Sequence, residues 1–219
     1  MLRGHVLYVM QKKKSKHTSP YDAIGDASAR YTGAMHAHDK NASFAHPGKN
    51  VEAFGIKPRA IVADFGAGSG RYTCEVAHIL QGEGMVYAID VQQDLLRRIQ
   101  NEAHRKSLPN IQTIWGDISR HEGTRLAPSS VDTIIMSNVL FQLQHPQGAF
   151  LEARRILERD GTLIVIDWSD SYRSLGPTKI HVFDQERAAE FAAASGFRVK
   201  EQFAAGAHHY GLIFHKSSR

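Results

Sequence analysis

The chain predicts an α/β fold: a doubly wound, mostly parallel seven-stranded sheet with an antiparallel last strand and an N-terminal helical cap. Three observations predict it. From Ile61 onward, short aliphatic runs alternate with helical patterns, as a parallel sheet covered on both faces requires. The last two strand patterns are joined by a loop too short for a parallel crossover, so they pair antiparallel. Residues 12–50 are rich in Lys, His, Ser, Asn and Gly and poor in aliphatic side chains, and read as a tail and a loosely helical cap over about Tyr21–Met35.

Each element has its own signal. Ile61–Phe65 reads as a buried strand, followed by a helix over Ser69–Leu80 that places Val76, Ile79 and Leu80 on one face. Met85–Asp90 is the second strand. Leu95, Leu96, Ile99 and Ala103 recur at helical spacing within Gln92–Lys106, and Leu108-Pro109 closes that helix. Ile111–Trp115, Val131–Met136 and Thr162–Asp167 read as strands, the last preceded by a helix over Gln147–Leu157 that Asp160-Gly161 terminates. A helix over Asp184–Ala194 stops at Gly196, and the strands Arg198–Phe203 and Tyr210–Phe214 flank a turn near Gly206.

At 219 residues, 42% hydrophobic and 22% charged, the chain holds one sizeable domain with a short extension, and disordered, collagen-like and disulfide-scaffold classes are excluded. The expected division is a basic tail over residues 1–17, a cap over 18–54 and the main domain over 55–219. The lone Cys74 makes no internal disulfide and reads as core, which fits a reducing cytoplasm. The net charge of +5 belongs to the tail. Arg3, Lys12, Lys13, Lys14 and Lys16 account for it, leaving 22 basic against 22 acidic residues in the remainder. Such a tail suits RNA through counterion release, or reads as a solvated terminus. The apolar stretch Val6–Met10 is too short for a membrane span and makes a poor signal peptide.

In parallel sheets the ligand sits beyond the carboxyl ends of the strands, so polar residues there are the candidates. Asp64 opens the run Gly66-Ala67-Gly68-Ser69-Gly70 between the first strand and first helix. Arg71 stands where a nicotinamide-binding loop needs its third glycine, and no Gly-Lys-Ser/Thr follows for a phosphate loop. Asp90 ends the second strand, where an acid accepts both hydroxyls of a ribose. Asp117 follows the third strand and suits an exocyclic amine. Singly, each acid also reads as a helix cap; together, on successive strand ends, they make a cofactor site.

In the stretches 62–70, 86–90, 116–118, 132–138 and 157–163 the chain resembles the class I methyltransferases that use S-adenosylmethionine, in order and spacing, over about residues 52–215. The resemblance implies a Rossmann-like methyltransferase fold. It also implies S-adenosylmethionine as cofactor, with S-adenosylhomocysteine as product. Gly66, Ala67, Gly68 and Gly70 would lie against its methionine and ribose portions, Asp90 and Val91 at the ribose, Asp117 and Ile118 at adenine. Asp64 would hold the amino acid portion, and Asn138 would border the transferable methyl. The type is similar to the ubiquinone and menaquinone methyltransferases, which implies a small-molecule acceptor and a monomer or homodimer.

No catalytic residue is assigned, because in-line methyl transfer chiefly needs alignment and exclusion of water. The Asp/Asn-Pro-Pro-Tyr/Phe signature of nucleobase amino methylation is absent where Ser137-Asn138-Val139-Leu140-Phe141 stands. RNA or protein methylation and a non-catalytic S-adenosylmethionine-binding protein remain as alternatives. His36, His38, Asp39 and His46 read as polar loop residues in preference to a metal site, and none is expected. His208 and His209, at the start of the last strand, are either packing residues or a wall of the acceptor pocket, and Tyr31 belongs to the cap.

Overall fold

A computed structural model describes residues 46–173 and 175–217; the basic tail, the expected cap helix with Tyr31, and His36, His38 and Asp39 lie outside the described residues. Seven strands form one sheet: β1 (Ile61–Phe65), β2 (Met85–Asp90), β3 (Ile111–Trp115), β4 (Val131–Ser137), β5 (Leu157–Trp168), β6 (Phe197–Gly206) and β7 (His209–Lys216). Their order is β3-β2-β1-β4-β5-β7-β6, and β7 is antiparallel to both β5 and β6. The order reverses between β1 and β4, the point at which sheets of this kind bind ligands beyond their carboxyl ends. β1, β2 and β4 are mostly buried because helices cover both faces, and buried clusters lie on either side of the sheet.

Five α-helices are described: α1 (Pro47–Ala53), α2 (Arg71–Ile79), α3 (Gln93–Arg105), α4 (Pro146–Ile156) and α5 (Gln185–Ala194). α2 begins at Arg71 because Gly70, its N-cap, is in the left-handed region at φ 73. A helix shorter than two turns does not stand alone. α1 is held by Val51 and Phe54 in the core beneath it, and by Asn50, whose Nδ2 donates to the Tyr72 hydroxyl at 2.9 Å and the Ala205 carbonyl at 3.0 Å.

One expected stop is absent. Asp160-Gly161 does not terminate α4; the helix ends at Ile156 and the chain passes directly into β5. A register shift against β4 between Val131 and Thr133 absorbs the change of direction, and a Cβ on Gly161 would stand 2.7 Å from the Leu157 side chain.

The loop after β3 is pinned to α4 from below. Buried Glu152 accepts from the Glu122 and Thr124 amides and the Thr124 hydroxyl, and Arg155 donates to both its oxygens at 2.8 and 2.7 Å. These bonds hold the Glu152 carboxyl below its ordinary value despite burial, and they fix the stretch that carries Asp117 and Ile118. Among the described residues no helix is long and apolar enough to cross a membrane.

Candidate functional site

The glycine run forms the turn between β1 and α2. Gly66 and Ala67 donate to the Ile89 carbonyl at 2.8 and 3.0 Å, so the turn is strapped across the end of β2. Gly66 has φ 68, and a Cβ there would lie 2.5 Å from Cγ2 of Val139. Gly68 has φ 53 but faces open space, its nearest potential neighbour being the Gly66 carbonyl at 3.8 Å. A ligand can therefore approach the backbone at Gly68, while at Gly66 the protein itself fills the gap.

Asp90 closes the turn. Its Oδ2 accepts from the Gly68 amide at 2.9 Å and its Oδ1 from the Gln92 amide at 2.8 Å. A carboxylate has about four lone-pair directions, so each oxygen keeps one for a further donor. Asp64 lies beneath the turn, fully buried, and its Oδ2 accepts from the Thr73 hydroxyl at 2.5 Å. Burial raises its pKa to about 6; the Thr73 bond opposes the shift and the nearby Asp90 charge adds to it. On the same face, burial holds the Tyr72 phenol above its ordinary value against hydrogen bonds with Asn50 and Ser137.

Asp117 turns the chain after β3, with Oδ1 accepting from the Ser119 amide at 3.0 Å and hydroxyl at 2.6 Å. Ile118 is buried beside it. Val91 is 57% exposed at the end of β2, next to Trp115, whose Nε1 donates to the Val91 carbonyl at 3.0 Å. Asn138 follows β4 with φ 54, its amide donating to the Ile166 carbonyl, and its Oδ1 is buried without a hydrogen-bond partner. Every candidate thus lies at the carboxyl end of β1, β2, β3 or β4.

Two further groups stand there, Asp167, which the sequence marks only as a strand end, and His209, which it offers as packing or as a pocket wall. Asp167, near the end of β5, is fully buried; its Oδ1 accepts from the Trp168 amide at 2.8 Å and its Oδ2 from the Leu140 amide at 3.0 Å. Burial raises its pKa to about 7, against these bonds and those from the Val139 and Phe141 amides. His209 pairs with Trp168 across β5 and β7, the rings 4.3 Å apart. It is 4% exposed, and neither ring nitrogen has a hydrogen-bond partner. Burial lowers its pKa to about 4, so the imidazole is neutral at pH 7. His208, by contrast, is tied to Asp170 through Nδ1 at 2.9 Å and lies against Tyr172, the rings tilted by 31°. Among the described residues no cluster of three His, Cys, Asp or Glu side chains is suited to a metal.

Residues 56–207 match the family model described as "Methyltransferase domain". The chain belongs to the methyltransferase domain family. Among solved structures, this methyltransferase domain is similar to a SAM dependent methyltransferase from Aquifex aeolicus, with 26% identity, TM-score 0.70, and 77% of this chain and 88% of the other covered. A putative type 11 methyltransferase from Sulfolobus solfataricus shares the fold at 23% identity and TM-score 0.59, covering 74% and 86% of the two chains. A 37.1 kDa uncharacterized protein of transposon TN4556 from Streptomyces fradiae is 26% identical over 166 residues, which is 68% of this chain. The chain spans about half the length of that curated relative, 46% of which is matched.

Proposed function

We propose that this methyltransferase uses S-adenosylmethionine and transfers its methyl group to a small-molecule acceptor. The observation that carries the reading is the turn at Gly68, open to a ligand on one side and closed by the Asp90 carboxylate on the other. The donor set fits the cofactor: bare glycine backbone for a close approach, an acid with spare lone pairs for ribose hydroxyls, and Asp117 with buried Ile118 for an adenine. Gly66, Ala67, Gly68 and Gly70 would hold the methionine and ribose portions, Asp90 and Val91 the ribose, and Asp64 the amino group. Asn138 would border the methyl.

Bound there, the cofactor supplies a sulfonium whose methyl is electrophilic. The chain's own task is to orient the two reactants and exclude water. Asp64 is set to receive a cationic group, since an ammonium beside it favours ionisation of a carboxyl that burial otherwise keeps protonated up to about pH 6.

The acceptor belongs on the β4–β5–β7 side. Asn138 Oδ1 and both nitrogens of His209 are buried polar atoms awaiting partners, and such atoms cost stability unless something satisfies them. A compact acceptor bearing hydroxyl or amine groups supplies both a donor and an acceptor. The quinone-precursor methyltransferases are the type this reading favours, and a monomer or homodimer suffices for it. RNA is the second reading, favoured by the five basic residues within the first 17.

Calorimetry with S-adenosylhomocysteine tests the cofactor, and turnover of labelled S-adenosylmethionine against a metabolite panel and RNA tests the acceptor. Binding of the product and methylation of a small molecule are expected. No heat with S-adenosylhomocysteine, or tighter binding of NAD, would sink the reading.

A further inference from the structure

The loop after β4 has no regular structure until the short 3-10 turn Leu140–Gln142, yet it is fixed from several directions. The Leu140 amide donates to Oδ2 of Asp167 at 3.0 Å and the Trp168 amide to its Oδ1 at 2.8 Å, and the neighbouring Val139 and Phe141 amides also favour the charged carboxyl. The Asn138 amide is bonded to the Ile166 carbonyl, and the Gln142 side chain donates to the Asn138 carbonyl at 2.7 Å. The consequence reaches the cofactor turn. Val139 fills the space that a Cβ on Gly66 would need, so the loop held by β5 is packed directly against the glycine run of β1.

We propose that Asp167 is a positioning residue for methyl transfer: its carboxylate anchors the β4 loop through the Leu140 amide, and so seats Val139 on Gly66 and sets Asn138 beside the methyl. This rests on the cofactor reading above. Backbone amides that donate to a carboxyl favour its ionised form, so the anchoring is tightest with Asp167 as a carboxylate. A protonated Asp167 has one lone pair fewer and an O–H that meets donors.

Across the strand pair the titratable neighbour is Tyr210, which gives its hydroxyl to the Phe183 carbonyl at 2.8 Å. Its pKa is raised well above the ordinary value by burial and by the charges of Asp167 and Asp184, so it does not titrate alongside Asp167. His209, on the opposite face of β7, is neutral above about pH 4.

The test uses the whole chain, labelled for NMR and titrated from about pH 5.5 to about 8.5, an interval that brackets the Asp167 transition. The amides of Val139, Leu140, Phe141 and Trp168 are expected to shift together with a midpoint near 7. At about pH 8, Asp167→Asn is expected to shift the same amides and weaken S-adenosylhomocysteine binding by about tenfold. If the variant fails to fold, the wild-type titration still decides. Loop amides that stay still while the Asp167 carboxyl carbon titrates would overturn the proposal, as would an Asp167→Asn protein with unaltered affinity. A wild-type chain that binds no S-adenosylhomocysteine would overturn the cofactor reading itself, whereas intact binding with an unmoved loop overturns the positioning role alone.

Discussion

Asp90 holds two backbone amides, Gly68 and Gln92, and still has lone pairs to offer. Its removal therefore acts on the free and the bound protein together. Asp90→Ala is expected to weaken S-adenosylhomocysteine binding by about 1.5–3 kcal/mol, the range for hydrogen bonds to a charged group. The unliganded protein should also melt lower, because both amides lose their acceptor. Calorimetry and thermal melting on the same variant separate the contributions; a lower melting temperature with unchanged affinity would leave Asp90 as a cap only. Gly66 invites a different change. Gly66→Ala combines an unfavourable positive φ with a Cβ 2.5 Å from Val139, so it is expected to cost about 1–3 kcal/mol of stability by thermal or denaturant unfolding. A neutral result would show that the β4 loop moves away freely, contrary to its anchoring on Asp167.

At the scale of elements, α1 shows how a side chain in place of a cap secures a short helix. Asn50 joins α1 to Tyr72 on α2 and to Ala205 on β6, and its Oδ1-bearing amide is buried at the join. Asn50→Ala leaves the Ala205 carbonyl without this donor and is expected to destabilise the fold by about 1–3 kcal/mol in denaturant unfolding. Unchanged stability would mean that Val51 and Phe54 alone hold α1. The pattern of residues 47–53 is too short to reveal this helix, since its two buried positions make no repeating face.

The first three strands were legible to the residue because turns bound aliphatic runs on both sides. Asp64, Asp90, Asp117 and Asn138 were legible as strand-end polar groups for the same reason. Asp167 was not: an acid ending an aliphatic run looks like any strand terminus, and the Leu140 amide that explains it lies 27 positions earlier in the chain. His209 was visible as a strand-start histidine, but its lack of partners is a property of packing that no spacing encodes.

For the whole molecule, the buried titratable groups set how stability varies with pH. Asp64 and Asp167 have folded pKa values near 6 and 7, raised from an unfolded value of 3.8. Between those limits the folded chain binds more protons than the unfolded one, so each group lowers stability as pH rises through its interval. His209 opposes them. Its value is lowered from 6.5 to about 4, so the unfolded chain binds the extra proton and stability rises with pH up to about 6.5. From about pH 4 to 6 two falling contributions outweigh one rising one, between 6 and 6.5 they balance, and beyond 6.5 Asp167 alone continues the fall. The unliganded chain is therefore expected to melt higher at about pH 5.5 than at about pH 7.5. Asp64→Asn should flatten that curve only up to about pH 6, whereas Asp167→Asn should remove the fall altogether. A ligand that places a cation beside Asp64 lowers its raised pKa and so weakens that fall, and saturating S-adenosylhomocysteine should therefore raise the melting temperature more at neutral than at acidic pH. Calorimetric scans across that range check all of these; a melting temperature that rises steadily to pH 7.5 without ligand would mean that the two aspartates are already ionised in the free fold.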